Sequence, residues 1–318
     1  MGGPLSRRAG GTAPSLSGPS HLRHHPPALS FRRATCAGAG HPTYAVDMTL
    51  PAPDPDRTCL VTGASSGIGE EIARLLAGRG LGVTLVARSE AKLKTLAEEL
   101  SSTHGVRAEA IVADLTDEPS RTAIATELEG RGLKVNVLVN DAGFSTMGPV
   151  SRSDPAGEVA MVRTNVEAVV HLCSLFLPGM VERRSGAVLN VASTAAFQPL
   201  PGQAGYAASK AFVLSYSHAI RGELRPSGVT VTILCPGPVE TGFAAAAGIS
   251  DAEASGAMPR FMWVPVGAVA KAAVDGMDAN RAVVIPGMAN RASAVAGWLS
   301  PRSVLVPMLA KYHPALRD

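Results

Sequence analysis

From Arg57 onward the chain alternates short runs of Val, Ile and Leu with stretches long enough for a helix, and this alternation limits the fold more than any other feature. The apolar runs are TCLVTG from Thr58, GVTLVAR from Gly82, AEAIVAD from Ala108, VNVLVN from Val135, GAVLNVAS from Gly186, GVTVTILCPG from Gly228 and RAVVIPG from Arg281. Helix-length segments separate them at 67–79, 89–104, 117–131, 154–182, 203–225 and 265–277. Strands that are apolar on both sides need cover on both faces, and helices between successive parallel strands supply it. The pattern predicts an α/β chain with a doubly wound parallel sheet of about seven strands, whose ligands sit beyond the carboxyl ends of the strands.

With 318 residues, 46% of them hydrophobic, the chain has enough material for one large domain of this kind. We expect a catalytic domain over 57–290, an apolar segment over 291–318 that packs on the domain or a partner, and a disordered extension over 1–47. That extension is rich in Gly, Pro, Ser, His and Arg, and is read as a mis-called start upstream of Met48 or as a targeting segment. It holds Arg7, Arg8, Arg23, Arg32 and Arg33 with no Asp, Glu or Lys. The formal charge of +3 therefore comes from the extension, the remainder is slightly acidic, and a nucleic-acid partner is not expected.

Cys36, Cys59, Cys173 and Cys235 are scattered, and the last three sit in apolar runs; free buried thiols and a cytoplasmic location follow. His171 and His218 have no second ligand at metal spacing, so no metal site is expected. Charges or prolines break every apolar run before about 18 residues, so no membrane-spanning helix is expected. Contact of the C-terminal segment with a membrane surface is the less favoured reading of its apolar character.

The first strand ends in VTGASSGIGEEIARLL, where Gly63, Gly67 and Gly69 permit a tight turn, and the following helix N-terminus offers unpaired N–H groups to a phosphate. Placed between a strand and an amphipathic helix, this turn suits a Rossmann-type dinucleotide site. The second strand ends in VARS, so Arg88 stands where an acidic residue would bind an NAD ribose; NADP(H) is preferred, with NAD(H) possible. Further on, GQAGYAASKAF places Tyr206 and Lys210 one helical turn apart. An ammonium beside a phenol favours the phenolate, so Tyr206 is expected to have a lowered pKa and to exchange a proton with a carbonyl/alcohol pair, assisted by the Ser193 hydroxyl.

TGASSGIG (62–69), NDAG (140–143), TNVEA with Asn165, NVAST with Ser193, YAASK with Tyr206 and Lys210, and CPGPVET (235–241) together resemble the short-chain dehydrogenase/reductase family, in its order and spacing, over about 58–287. The glycine spacing is similar to the single-domain members and unlike the sugar-nucleotide epimerases. The resemblance implies that Tyr206 is the acid/base, Lys210 its pKa-lowering and ribose-binding partner, Ser193 the substrate-orienting hydroxyl, and Asn165 the holder of a relay water. It further implies cofactor contacts by Thr62, Gly63, Ser65, Ser66, Gly67, Ile68, Gly69, Asp114, Asn140, Ala142, Gly143, Pro236, Gly237 and Thr241. Asp141 departs from the family, which has a second asparagine there.

The expected reaction is hydride transfer between NADP(H) and a ketone or secondary alcohol, with reduction of a hydrophobic or 3-oxoacyl carbonyl favoured. The alternative is a non-catalytic NAD(P)-binding regulator or scaffold, which would not need Ser193, Asn165, Tyr206 and Lys210 together. A lid over 243–263 is expected to select the substrate, with Phe243, Phe261, Met262 and Trp263, joined by Phe144 and Phe197, lining an apolar pocket. The resemblance also implies a homodimer or homotetramer paired through the segments 154–182 and 203–225.

Overall fold

A computed structural model describes residues 50–241, 259–312 and 314–316. The expected extension over 1–47, Phe243 and most of the expected lid lie outside the described residues. Seven strands form one parallel sheet in the order β3-β2-β1-β4-β5-β6-β7. They are β1 (Arg57–Thr62), β2 (Val83–Ala87), β3 (Ala108–Val112), β4 (Lys134–Asn140), β5 (Gly186–Val191), β6 (Val229–Leu234) and β7 (Val283–Val284). The order reverses between β1 and β4, which opens a crevice at their carboxyl ends where Gly63 and Asp141 follow the strands.

Six helical segments cover the sheet as the sequence pattern requires: α1 (Gly67–Ala77), α2 (Glu90–His104), α3 (Glu118–Gly130), α4 (Pro155–Val162) running into α5 (Ala168–Glu182), α6 (Ala204–Glu223) and α7 (Val266–Asp278). Two more close the chain, α8 (Met288–Leu299) and α9 (Arg302–Tyr312). Asp117 caps α3 by accepting from the Ser120 N–H at 3.0 Å, and Asp154 caps α4 through the Ala156 and Gly157 N–H groups.

The core has two layers, one on each face of the sheet. In one, Ile72, Ala73 and Leu76 of α1, Leu93 and Leu100 of α2, and Val269, Ala273 and Met277 of α7 pack on Val61, Leu85 and Val139. In the other, Ile124 and Leu128 of α3, Leu172 and Met180 of α5, and Val213 and Ile220 of α6 pack on Leu60, Leu138, Val188 and Val231. Cys59, Cys173 and Cys235 are buried free thiols, and desolvation pushes each up to about 12.

One expectation is corrected here. The segment Pro155–Glu182 is one 28-residue helical run with a mean hydropathy of 1.3 in its most apolar window, which is long and apolar enough to cross a membrane by length and composition. The sequence argument counted only uninterrupted apolar runs, whereas hydropathy averages across the polar residues Thr164, Asn165 and His171. Its inner side, including Met161, Ala168, Leu172 and Cys173, is buried in the domain.

The C-terminal segment packs on the domain through one side only. Only Asn290, Ala294 and Gly297 of α8 and Leu305 of α9 are buried, while Val295, Trp298, Leu299, Val304, Met308 and Tyr312 are exposed. An apolar periodicity shows that a helix has a non-aqueous side without saying which neighbour covers it. Here the inward contacts come from Asn290, Ala294, Gly297 and Leu305, and most of the other large side chains face away from the domain.

Candidate active site

Gly63 and Gly67 have positive φ values of 72° and 64°, which let the chain leave β1 in a tight turn and enter α1. The Ser66 side chain does not cap α1, so the N–H groups of its first turn remain directed at the crevice. Such a turn fits the diphosphate of a dinucleotide. Across it, the Thr241 side chain lies against Gly67, where an added Cβ would approach it to 3.2 Å. Ser65 and Ile68 are half-buried beside these glycines, and Ile68 packs on the core.

Thr62 joins the two strands that bracket the crevice. Its Oγ1 donates to the Val139 carbonyl at 3.2 Å and accepts from the Asp141 and Ala142 N–H groups, each at 3.1 Å. The loop 141–143 is thereby pinned over the end of β1. Arg88 is exposed just after β2, near enough to Asp114 to help lower its pKa, behind the larger effects of two hydrogen bonds from Thr116. A guanidinium and a carboxylate thus stand together where the adenosine end of a dinucleotide would extend from α1.

Asn140 is placed differently from expectation. It pairs in register with Asn190 of β5, and its Nδ2 donates to Asn190 Oδ1 at 2.8 Å inside the core. Asn190 in turn donates to Ser217 of α6 at 2.8 Å. The Asn140 side chain therefore ties strands to a helix and does not face the crevice. Strand alternation explains this, because Asn140 and Asp141 leave the sheet in different directions.

The catalytic candidates come together. Tyr206 and Ser193 share a side-chain hydrogen bond, and Lys210 Nζ lies 5.9 Å from the centroid of the Tyr206 ring. Lys210, buried, donates to the Val191 carbonyl at 2.8 Å. Ser193 also accepts from the Ala195 N–H at 3.1 Å, which sets its hydroxyl at the start of the short 3₁₀ turn Thr194–Phe197. Asn165 sits in a π-helical turn, Arg163–Glu167, between α4 and α5. It grips the Phe144 backbone with both ends of its amide, at 3.1 and 3.0 Å, and donates to Ser209 of α6. Gly143 is required here: an added Cβ would lie 2.8 Å from Asn165 Oδ1 and 3.4 Å from Lys210 Nζ.

The electrostatics correct the expected acidic tyrosine. Burial of its hydroxyl end raises the Tyr206 pKa to about 12; the Ser193 hydrogen bond opposes this and Asp141 adds to it. Lys210, already engaged with Val191, is not what governs the phenol. Burial instead lowers Lys210 itself to about 8, against the attraction of Asp141 and Cys235. Asp141 is raised to about 7 by desolvation, moderated by Lys210 and by the Gly69 N–H that its carboxylate accepts.

Asp141, noted in the sequence as a departure, takes a place in the site, and Gln203 and Asn290 join it without any motif having singled them out. Asp141 places its carboxylate under the glycine turn, where added Cβ atoms on Gly69 and Gly63 would lie 2.7 and 3.1 Å from its Oδ2. Gln203 donates to Ser145 at 2.8 Å beside the loop after β4. Asn290 of α8, wholly buried, donates to the Met262 and Pro286 carbonyls and lies against Gly237, where an added Cβ would clash with its amide. It thereby holds the 236–241 loop, with the Val239–Val264 bridge closing the same junction. Of the expected pocket residues, Phe144 and Phe197 are half-buried, with Phe197 packed on the core; Met262 is buried and Phe261 is exposed.

The sequence profile described as short chain dehydrogenase matches residues 57–251. A very-long-chain 3-oxoacyl-CoA reductase from Anas platyrhynchos is 38% identical over 188 residues, 57% of this chain and 59% of that protein. The chain thus spans less than two thirds of the duck protein's length. A putative ketoacyl reductase from Streptomyces coelicolor is 39% identical over 188 residues, 58% of this chain and 72% of that one. The structure of a short-chain dehydrogenase from Sphingobium yanoikuyae in complex with NADPH superposes with a TM-score of 0.68 at 33% identity, covering 79% of this chain and 95% of that one. With the glycine turn, the seven-stranded order and the Ser193, Tyr206 and Lys210 cluster all in place, this chain belongs to the short chain dehydrogenase family.

Proposed function

We propose that the protein is an NADPH-dependent reductase that converts a hydrophobic ketone, of the 3-oxoacyl class, to the secondary alcohol. The observation that carries this reading is the hydrogen-bonded Ser193–Tyr206 hydroxyl pair with Lys210 beside it. A carbonyl oxygen held by both hydroxyls is polarised, and a neutral phenol is the form that can donate a proton to it. The raised Tyr206 pKa keeps that proton in place at neutral pH and supports reduction over oxidation. Bound NADPH supplies the hydride. The first turn of α1 would hold its diphosphate, Arg88 its 2′-phosphate, Asp114 its adenine, and Lys210 its nicotinamide ribose, with Pro236, Gly237 and Thr241 on the nicotinamide side. Lys210 and a water held near Asn165 would return the proton to Tyr206. The ketoacyl and 3-oxoacyl-CoA reductases among its relatives support the substrate class.

Initial rates with NADPH and NADH, over 3-oxoacyl thioesters, steroid ketones and small carbonyls, test this reading. Turnover with NADPH on the first class is expected; tight cofactor binding with no turnover on any carbonyl would instead favour a non-catalytic regulator. Arg88→Asp should raise KM for NADPH about 10- to 100-fold while leaving NADH nearly unchanged, the loss of one charge-assisted phosphate contact. Equal changes for both cofactors would remove Arg88 from the cofactor site.

A homodimer or homotetramer is proposed through the outer sides of α4–α5 and α6, where Val159, Val181 and Phe212 are exposed. Sedimentation equilibrium at micromolar concentration is the check, and a monomer would refute it. The three buried thiols support a cytoplasmic setting.

A further inference from the structure

The two C-terminal helices turn a basic, apolar surface outward. On α8, Met288, Ala292, Val295 and Leu299 recur at helical spacing on the side opposite the buried Asn290, Ala294 and Gly297. Met288 is 88% exposed, and Trp298 and Leu299 are each 67% exposed. On α9, Val304, Met308 and Tyr312 recur every four residues, and Val304 is 65% exposed. No described residue covers these side chains. The charge on this part of the chain is weighted to one sign: from 288 to 318 stand Arg291, Arg302, Lys311 and Arg317 against Asp318 alone, and Arg291 and Lys311 are exposed on the two helices.

We infer that the α8–α9 face is a docking surface for an anionic lipid bilayer. Large apolar side chains pointing away from the core, a tryptophan and a tyrosine among them, and helices that carry Arg291 and Lys311 but no Asp or Glu are the composition of a helix pair lying in the headgroup region. A second copy of the chain is the weaker occupant. A two-fold contact through this face would oppose Arg291 and Lys311 to their own copies, with no carboxylate on α8 or α9 to pair them.

The face is mechanically joined to the candidate active site. Arg302 donates to the Gly297 carbonyl at 2.8 Å and to the Phe197 carbonyl at 3.2 Å, so it clamps α8 and α9 to the turn that begins at Ser193. Gly297 lets α8 approach that turn: an added Cβ would lie 2.3 Å from Gln198 Oε1. Docking would therefore hold the Ser193 end of the crevice close to the lipid surface. This last point rests on the proposed reductase reading and suits a ketone with a long apolar tail; the docking itself does not depend on it.

Co-sedimentation of the full-length protein with phosphatidylcholine vesicles, with and without phosphatidylglycerol, is the test. The wild type should pellet with the anionic vesicles, less so at high salt. The double variant Leu299→Glu/Val304→Glu should lose at least tenfold in partitioning, while its turnover of a small water-soluble carbonyl and its melting temperature are unchanged. Arg291→Gln and Lys311→Gln should each weaken binding to the anionic vesicles by about fivefold, the effect of one neutralised charge. Absence of pelleting by a folded wild type, or equal pelleting of wild type and Leu299→Glu/Val304→Glu, overturns the inference. So does a dimer that Leu299→Glu/Val304→Glu converts to monomer without lipid, which would assign the face to a second copy. Loss of carbonyl turnover in the wild type would count against the reductase reading alone, because vesicle binding is measured without substrate.

Discussion

Tyr206→Phe should lower kcat by about 10²- to 10⁴-fold with the substrate class that the wild type reduces, the range of a lost general acid. The change removes one oxygen and leaves the ring in place on α6. The NADPH dissociation constant, read by quenching or calorimetry, should stay within about threefold of wild type, since only a hydroxyl is removed from that site. The loss should therefore appear in kcat with little movement in cofactor affinity. A variant that kept more than a tenth of wild-type kcat would show that another group, Ser193 or a water, delivers the proton. A variant that lost cofactor binding in the same proportion would show that the phenol positions the nicotinamide end and does no proton transfer.

Asp141→Asn should stabilise the protein at pH 8 and change it little at pH 4. The carboxyl pKa is raised from 3.8 to about 7 in the folded chain, so between those values the native state holds a proton that the unfolded state has lost. Native-state stability therefore falls as pH rises from about 4 to about 7, and the whole cost is present above 7. A shift of this size corresponds to about 4 kcal/mol, an upper bound because Lys210 is coupled to the same charge. Near pH 4 the carboxyl is protonated in the folded chain and only about half ionised in the unfolded one, and the amide is a near-isostere that can still accept from the Gly69 N–H. At pH 8 the variant should melt about 3 to 8 °C above wild type. Lys210 would then lose the neighbouring negative charge, and its apparent pKa should move below the present value of about 8. Matched melting curves for the two proteins at both pH values would sink the assignment of Asp141 as a strained, desolvated charge.

Much of this was readable from the chain. The strands were visible because a sheet covered on both faces needs near-continuous Val, Ile and Leu, and all seven runs formed strands. The glycine turn was visible because Gly63 and Gly67 occupy a backbone region that other residues avoid. Tyr206, Lys210 and Ser193 were visible through the company they keep. What stayed hidden depends on three-dimensional neighbours. Asn290 is one asparagine in an apolar helix with no motif around it, and only the fold places its amide against Gly237. The inward turn of Asn140 follows from its register with Asn190, fifty residues away. The pKa of Tyr206 follows from desolvation at the crevice, which sequence spacing to Lys210 does not report.

The division of the core into two layers has a further consequence. The glycine turn belongs to the layer built on α1, α2 and α7, whereas Asn165, Ser193, Tyr206 and Lys210 ride on the layer built on α5 and α6. At the crevice the two meet through the 141–143 loop and Thr241, and a dinucleotide lying across it would act as a further cross-brace between them. Occupancy then adds to the free energy of unfolding by mass action, about 2.7 kcal/mol at a hundredfold excess over the dissociation constant. Amide exchange should slow in both layers at once, although each touches a different end of the same small molecule.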